Sequence, residues 1–289
     1  MMRHYLIFHG LFLFLFSFSF VAWADMPEKL VLGSIPNESP ENLKKHYAPL
    51  LAYLEKTLNL PVELSTPSDY DGVVVGMKAK NIDVAYYGPK SYVKAAEEAG
   101  AVAFARILNA DGAEGYHSLI ITLKSSGLTT LADLKGKTWL YADPDSTSGT
   151  LVPRAYFYLD ARIDPDTYFS KTGYSGGPEK SILALKNKEV DAIAASGIVL
   201  HRGGGEAWTM DDFNVIWQSE LIPNSLFAYR NDLPEALKQA LTEAFLNFRD
   251  PEGLSSLKIT GLVPAKDEDY DFIRKLYEYE KRMDARRQK

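Results

Sequence analysis

Cysteine is absent from this chain of 289 residues. The sequence therefore excludes disulfide bonds, a thiol nucleophile and lipid attachment through an N-terminal cysteine. Histidine is scarce: there are five, and His4 and His9 both belong to the N-terminal apolar segment. No histidines or carboxylates show the spacing of a metal site. We predict no metal and no other cofactor.

The chain also lacks an excess of positive charge, with 32 lysines and arginines against 38 aspartates and glutamates and a formal net charge of −6. This acidic balance argues against nucleic acid and against anionic lipid as partners. It leaves a small anionic ligand open, because the hydrogen-bond donors at a site decide such binding, not the net charge.

Long apolar runs are missing except at the N-terminus, where one is long enough to cross a bilayer. It follows Arg3, is rich in leucine and phenylalanine as far as Val21, and ends at Ala24 in the small–x–small pattern of signal peptidase sites. We predict a signal peptide over residues 1–24; an uncleaved membrane anchor is the alternative. With neither a lipid nor a membrane anchor, the mature chain is expected as a soluble protein of the periplasm.

Strand and helix patterns alternate along the rest of the chain. Short apolar runs such as KLVLGSIP are typical of buried strands, and the segment after Ser39 and Pro40 has the capping and periodicity of a helix. The alternation predicts an α/β fold with mostly parallel sheets. We expect a first lobe from residues 25–114, a second lobe from 115–219 and a return to the first lobe over 220–289.

A row of hydroxyl side chains, Ser146, Thr147 and Ser148, lies in the stretch DPDSTSGTLVPRAYFYLD. The row stands between a predicted strand end and a predicted helix. The first amides of a helix have no partner within it, and the aligned peptide dipoles add positive potential there. Hydroxyls beside such amides suit a tetrahedral oxyanion. The alternative is an ordinary helix cap with solvent-facing neighbours.

The position of Pro153 predicts where that helix begins. Proline is tolerated in the first turn, where its missing N–H costs no hydrogen bond. We therefore expect the helix to begin near Thr150. That start would leave the amides of residues 147–149 free in the preceding loop.

Several long segments carry a family resemblance. They are DPDSTSGTLVPRAYF, SDYDGVVVGMKAKNIDVAYYGPKSYVKA, NADGAEGYHSLIIT, KSILALKNKEVDAIAAS and WQSELIPNSLFAYR. Together they resemble the phosphonate-binding periplasmic proteins, the solute receptors of phosphonate and phosphite ABC importers. The resemblance implies a two-lobed, type II-like periplasmic binding protein that holds a phosphonate, phosphite or phosphate-like oxyanion between its lobes.

The resemblance also implies which residues contact the ligand. Family members hold the phosphonate group with two tyrosines from the lobe edges and with a hydroxyl-rich helix start. The matching positions here are Tyr70, Tyr116, Ser146, Thr147 and Ser148. Both tyrosines are expected in loops, from which a phenol can reach a cleft.

Partners follow from the same resemblance. The lobes are expected to close on the ligand and to dock on a membrane permease driven by an ATPase, with hinges near residues 112–118 and 218–226. A sensor subunit that signals to a kinase or chemoreceptor is the alternative.

An enzyme is disfavoured, since no thiol nucleophile exists and no Ser-His-Asp set can be assembled from the sequence.

The chain departs from the family at three places. Pro178 stands where a histidine is common, and Ile198 and Ser225 stand where aminoalkylphosphonate-binding members have a glutamate and an aspartate. Those carboxylates hold the ammonium of the ligand. An unpaired ammonium is costly to desolvate, so we expect this protein to disfavour 2-aminoethylphosphonate.

Losing the histidine weakens an anion site unless other donors replace it. The candidates are the amides of Gly176 and Gly177, the ammonium of Lys90 and the imidazole of His117. Lys90 is expected to be solvated at a helix start, as lysines usually are. His117 follows Tyr116 directly, and adjacent residues of an extended strand face opposite sides.

Overall fold

A computed structural model describes residues 27–202 and 207–287. The predicted signal peptide lies outside these residues, as does the glycine run 203–205, whose composition is typical of a loop tip. Among the residues described, no helix is both long enough and apolar enough to cross a bilayer.

Within residues 27–202 and 207–287, the strands form two large sheets and a small one. Their bounds are β1 Leu30–Ser34, β2 Val62–Ser65, β3 Val84–Tyr87, β4 Ala101–Asn109, β5 Gly115–Tyr116, β6 Ser118–Leu123, β7 Thr138–Tyr141, β8 Lys171–Tyr174, β9 Ala192–Ser196, β10 Phe213–Gln218, β11 Ile222–Pro223, β12 Leu226–Arg230 and β13 Ile259–Pro264.

The helices pack on these sheets and connect their strands. Their bounds are α1 Pro40–Leu58, α2 Tyr70–Lys78, α3 Pro89–Ala99, α4 Val152–Ala155, α5 Pro165–Tyr168, α6 Pro178–Lys186, α7 Gly197–Arg202, α8 Glu235–Leu246, α9 Pro251–Leu257 and α10 Asp271–Arg287. Wider π-helical turns over Thr147–Leu151 and Tyr156–Asp160 flank α4 and make one helical segment with it.

The first lobe is built on the sheet with strand order β13–β4–β12–β3–β1–β2. Strand β1 pairs parallel with β2 and β3, whereas β12 is antiparallel to both β3 and β4, and β13 is antiparallel to β4. The pairing is therefore mixed and not mostly parallel as predicted. The reason is that β12 returns from the other lobe and enters between β3 and β4 from the opposite direction.

The second lobe is built on the sheet with strand order β10–β6–β9–β7–β8. Strand β7 pairs parallel with β8 and β9, whereas β6 lies antiparallel between β9 and β10. The two lobes are joined by crossing segments that contain β5 and β11, and these short strands pair antiparallel with each other. The predicted two-lobed α/β architecture is confirmed.

Local signals in the sequence explain where α1 begins and ends. Ser39 is the N-cap, and its hydroxyl accepts a hydrogen bond from the amide of Asn42. Pro40 occupies the first turn, as predicted. Asn59 ends the helix in the left-handed conformation, with φ of 50°, which asparagine tolerates better than most residues.

Each lobe has its own apolar core. In the first lobe the core includes Leu32, Tyr87 and Phe227, all at most 1% exposed. In the second lobe, Ile120 and Ile121 belong to separate clusters, because successive strand residues face opposite sides of the sheet. This sheet therefore packs apolar side chains on both of its faces.

Candidate functional site

A cavity of about 50 Å³ lies where the lobes meet. All the residues predicted to contact ligand line it: Tyr70, Tyr116, Ser146, Thr147 and Ser148. The structure thus brings together side chains from α2, from the crossing strand β5 and from the helical segment of the second lobe.

The helical segment begins at Thr147, three residues earlier than predicted. Ser146 is its N-cap, and the Ser146 hydroxyl accepts the amide of Gly149 at 3.1 Å. The amide of Leu151 then bonds to the carbonyl of Ser146 at 3.0 Å, a π-helical spacing. Of the amides expected to be free, that of Gly149 is engaged. Those of Thr147 and Ser148 lie at the helix start and lack a partner within the helix.

Pro153 therefore lies beyond the first turn, where its missing N–H leaves carbonyls of the preceding turn without a donor. Two contacts from the sheet supply the donors. The Ser148 carbonyl accepts the Ser118 hydroxyl at 2.6 Å, and the Gly149 carbonyl accepts the amide of Ala142 at 3.1 Å. These bonds anchor the hydroxyl row to β6 and to the end of β7.

Hydrogen bonds also orient the hydroxyls of the row. The Ser146 oxygen accepts from Gly149, and the Thr147 oxygen accepts the amide of Lys90 in the first lobe at 2.8 Å. A hydroxyl that accepts in this way keeps its proton to donate. The Tyr70 phenol lies within reach of Ser146, and the Tyr116 phenol within reach of Thr147 and Ser148. Phenols and hydroxyls thus converge on one small volume.

Burial keeps both phenols protonated. It raises the pKa of Tyr70 well above its ordinary value, and the nearby carboxylate of Asp143 raises that pKa further. Burial also raises the pKa of Tyr116. Both groups are therefore neutral hydrogen-bond donors at physiological pH. The residues that line this cavity, all in the described ranges, include no charged side chain, so any anion bound here is held by neutral donors.

Secondary structure positions the two tyrosines, so the expectation that they lie in loops is wrong. Tyr70 is the first residue of α2, whose N-cap Asp69 accepts the amide of Gly72 at 2.7 Å. Tyr116 belongs to β5 and pairs with Ile222 of β11. The pattern of SDYDGVVVGMKAKN does predict the helix that contains Tyr70, whereas a two-residue strand such as β5 carries almost no periodicity.

Lys90 is not solvated, contrary to expectation. It is 3% exposed, forms an ion pair with Glu280 of α10 and donates to the carbonyl of Pro144 at 2.6 Å. It does not line the cavity. The exposure usual for lysine is overridden here because α10 packs over the start of α3.

The other proposed replacements for the histidine do not face the cavity. His117 Nδ1 donates to the carbonyl of Ser219 at 2.8 Å, and the side chain lines a different cavity, of about 480 Å³. The amide of Gly176 donates to Ala142 at 2.7 Å, and that of Gly177 to the Ser175 hydroxyl at 3.3 Å.

Pro178, Ile198 and Ser225, the positions that depart from the family, all line the small cavity. Sequence reasoning missed other lining residues, among them Asn37 and Tyr86. A usable signal existed, because Asn37 follows β1, Tyr86 is near the end of β3, and ligands bind at the carboxyl ends of strands in α/β sheets.

Gly149 is required by close packing under the hydroxyl row. A Cβ at this position would lie 2.4 Å from Ala142 Cβ and 3.0 Å from the Ser146 oxygen. We expect Gly149→Ala to lower the unfolding temperature by several degrees, since overpacking costs about 1–3 kcal/mol. Gly261→Ala is the matched control, because the nearest atom, on Leu108, is 3.8 Å away. Equal melting curves for the two variants would contradict this packing argument.

Comparison with known proteins decides the family. Residues 32–270 match the model of the family described as "ABC transporter, phosphonate, periplasmic substrate-binding protein". The chain belongs to this family. Its members are substrate-binding components of transporters and not enzymes, and the family is periplasmic.

Individual relatives agree with this assignment. The chain is 34% identical over 250 residues to the phosphonates-binding periplasmic protein of Escherichia coli (strain K12), covering 84% of this chain and 73% of the relative. It is 32% identical over 277 residues to a phosphate-import protein of Mycolicibacterium smegmatis, covering 86% and 84%. Both relatives are named for phosphorus oxyanions.

A solved structure supports the fold. The binding protein component of an ABC phosphonate transporter from Pseudomonas aeruginosa superposes with a TM-score of 0.81 and 31% identity, over 88% of this chain and 87% of that chain. The resemblance predicted from sequence motifs is therefore confirmed, together with the role of a substrate-binding component of an ABC importer.

Proposed function

We propose that this protein captures a small phosphorus oxyanion without a charged tail and delivers it to an ABC permease with its ATPase. The observation that carries the proposal is the cavity between the lobes, where Tyr70, Tyr116 and the hydroxyl row converge and none of the described lining residues is charged. Family membership favours import over the sensor role.

The donor set fits a tetrahedral oxyanion. Ser146 and Thr147 each have an acceptor bond fixed elsewhere, so their protons are available to ligand oxygens. The amides of Thr147 and Ser148 add positive potential at the helix start. Hydrogen bonds to an ionised group are about twice as strong as bonds between neutral groups, and neutral donors can therefore hold the anion.

The cavity lining selects against a cationic tail. Ile198 and Ser225 belong to that lining, and none of the described residues that line the cavity offers a carboxylate to an ammonium. An ammonium left unpaired on closure is costly to desolvate. We therefore propose phosphite, methylphosphonate or phosphate as ligands in preference to 2-aminoethylphosphonate.

We also propose a mature protein that begins after the signal peptide and is free of lipid, with lobes over residues 25–114, 115–219 and 220–289. The support is that the crossing segments with β5 and β11 lie near the proposed boundaries. Closure would then occur by rotation about the hinges near residues 112–118 and 218–226.

Calorimetric titration tests the ligand class. Residues 25–289, unfolded and refolded to remove carried-over ligand, are titrated with phosphite, methylphosphonate, phosphate, 2-aminoethylphosphonate and sulfate. We expect dissociation constants of about 1 μM or less for at least one phosphorus oxyanion without a tail. 2-Aminoethylphosphonate should bind at least about ten-fold more weakly because its ammonium stays unpaired. Tightest binding of 2-aminoethylphosphonate, or no heat from any compound, would contradict the proposal.

A further inference from the structure

Helix α10 spans the junction between the lobes. Near its start, Ile273 is fully buried in the core of the first lobe. Lys281, farther along, pairs with Glu97 of α3 in the same lobe at 3.1 Å. Other side chains in the second half of α10 instead contact the second lobe, and these contacts lie directly behind the hydroxyl row.

Glu280 is the centre of these contacts. It is 8% exposed, and its carboxylate binds two cations that come from different lobes. Its Oε1 accepts from Arg154 of α4 at 2.9 Å, and its Oε2 pairs with the ammonium of Lys90 of α3. Lys90 also donates to the carbonyl of Pro144, in the loop before the row. One carboxylate therefore neutralises a charge from each side of the cleft.

Further ion pairs join α10 to the second lobe. Arg154 Nη2 contacts Asp284 at 2.7 Å, and Arg287 contacts Asp164 and Asp166 near α5. These pairs are more exposed than the one at Glu280, and solvent-exposed ion pairs contribute little. Glu280 is the position where the charges are removed from water.

Both partners of Glu280 connect directly to the anion cavity. The amide of Lys90 donates to the Thr147 hydroxyl at 2.8 Å. Arg154 lies on the helical segment that begins at Thr147. The carboxylate thus sits behind the surface that would contact ligand, and it does not line the cavity itself.

We propose that Glu280 is a positioning residue and that α10 acts as a strap that holds the lobes closed. When the lobes separate, Arg154 moves away from Lys90 and Glu280 and regains water. When they close, the cations approach each other and are buried, a state that is costly unless an anion pairs with them. Glu280 supplies that anion and so sets the balance between the open and closed forms.

This mechanism has a characteristic consequence for binding. If only the closed form binds, the apparent dissociation constant is the intrinsic one divided by the fraction closed. A change at Glu280 alters that fraction and leaves the cavity unchanged. The affinities for all ligands should therefore fall by the same factor, and their ratios should stay constant.

The test uses Glu280→Gln and, separately, Arg154→Gln, with Lys281→Gln as the matched control. The control removes an ion pair of α10 that joins elements of the first lobe only. Each variant is titrated with phosphite and with methylphosphonate, and the radius of gyration of the ligand-free protein is measured by small-angle X-ray scattering. We expect both strap variants to lose affinity for each ligand by the same factor, about ten-fold or more, with unchanged stoichiometry. Their ligand-free radius should exceed that of the wild type, and the control should match the wild type.

Three other outcomes would contradict the proposal that α10 holds the lobes closed. They are a loss of affinity confined to one ligand, a fall in stoichiometry without a change in affinity, or a ligand-free radius of gyration equal to that of the wild type in both variants. Arg154→Gln guards against a folding failure of Glu280→Gln, because it keeps the pair with Lys90 intact. The choice of ligands for the titration rests on the proposed function, but the scattering measurement does not. If the wild type bound neither compound, the proposed ligand class would be wrong. The radius of gyration of the ligand-free variants would still show whether Glu280 and Arg154 hold the lobes closed.

Discussion

Replacing Ser146 and Thr147 together by alanine is expected to weaken binding of the phosphorus oxyanion by about 100-fold or more. Each hydroxyl has an acceptor bond fixed to a backbone amide and a proton left for the ligand. A hydrogen bond to a charged group contributes about 1.5–3 kcal/mol, so losing two corresponds to at least two factors of ten. Titration calorimetry on the refolded double variant measures this loss.

The matched control for that variant is Thr129→Ala/Thr130→Ala. These hydroxyls belong to an exposed turn of the second lobe, near Asp133, and neither residue lines the cavity. The control should bind like the wild type. Affinity within about three-fold of wild type in the Ser146 and Thr147 variant would mean that the row only caps the helix, the alternative that the sequence left open.

Introducing carboxylates into the cavity lining is expected to reverse the preference for ligands without a cationic tail. The change is Ile198→Glu combined with Ser225→Asp, two positions that line the cavity. A buried charge pair can contribute about 1.5 kcal/mol or more, so 2-aminoethylphosphonate should gain about ten-fold or more relative to methylphosphonate. Repulsion between the new carboxylates and the anion weakens methylphosphonate and widens the ratio.

Neutral replacements of similar size separate charge from shape. Ile198→Gln/Ser225→Asn introduces polar groups without an anion, and it should leave the ratio of the two affinities close to that of the wild type. If the neutral variant gained as much for 2-aminoethylphosphonate as the charged one, the discrimination would arise from cavity shape. The unpaired ammonium would then not be the cause of the discrimination.

The sequence motifs predicted a set of residues that the structure brings to one cavity, and packing explains where other sequence predictions failed. Each predicted ligand residue lies at the cavity, including Tyr116, which is far from the row in sequence. The helix start was misplaced because the rule for Pro153 assumes ordinary α-helical bonding. In the structure, Ser118 and Ala142 donate hydrogen bonds to the carbonyls of Ser148 and Gly149, which Pro153 leaves without a donor. The helix can therefore begin earlier.

The C-terminal part of the first lobe shows another limit of sequence patterns. The helix α9 and the strand β13 were not predicted, although both complete the lobe. Seven residues with a glycine and two serines make a weak helical pattern, and Gly261 interrupts an already short strand. Pairing with β4 and packing against α1 stabilise these elements, and such contacts come from residues far away in the chain.

By itself, the sequence determined the α/β class, the family, the hydroxyl row with its tyrosines and the three positions that depart from the family. These are properties of local chemistry and of continuous segments. Only the tertiary structure decided the mixed sheets and the environment of Lys90, whose partner Glu280 is 190 residues away. Burial and charge pairing depend on contacts between segments that are far apart in the sequence, and a local sequence pattern does not specify such contacts.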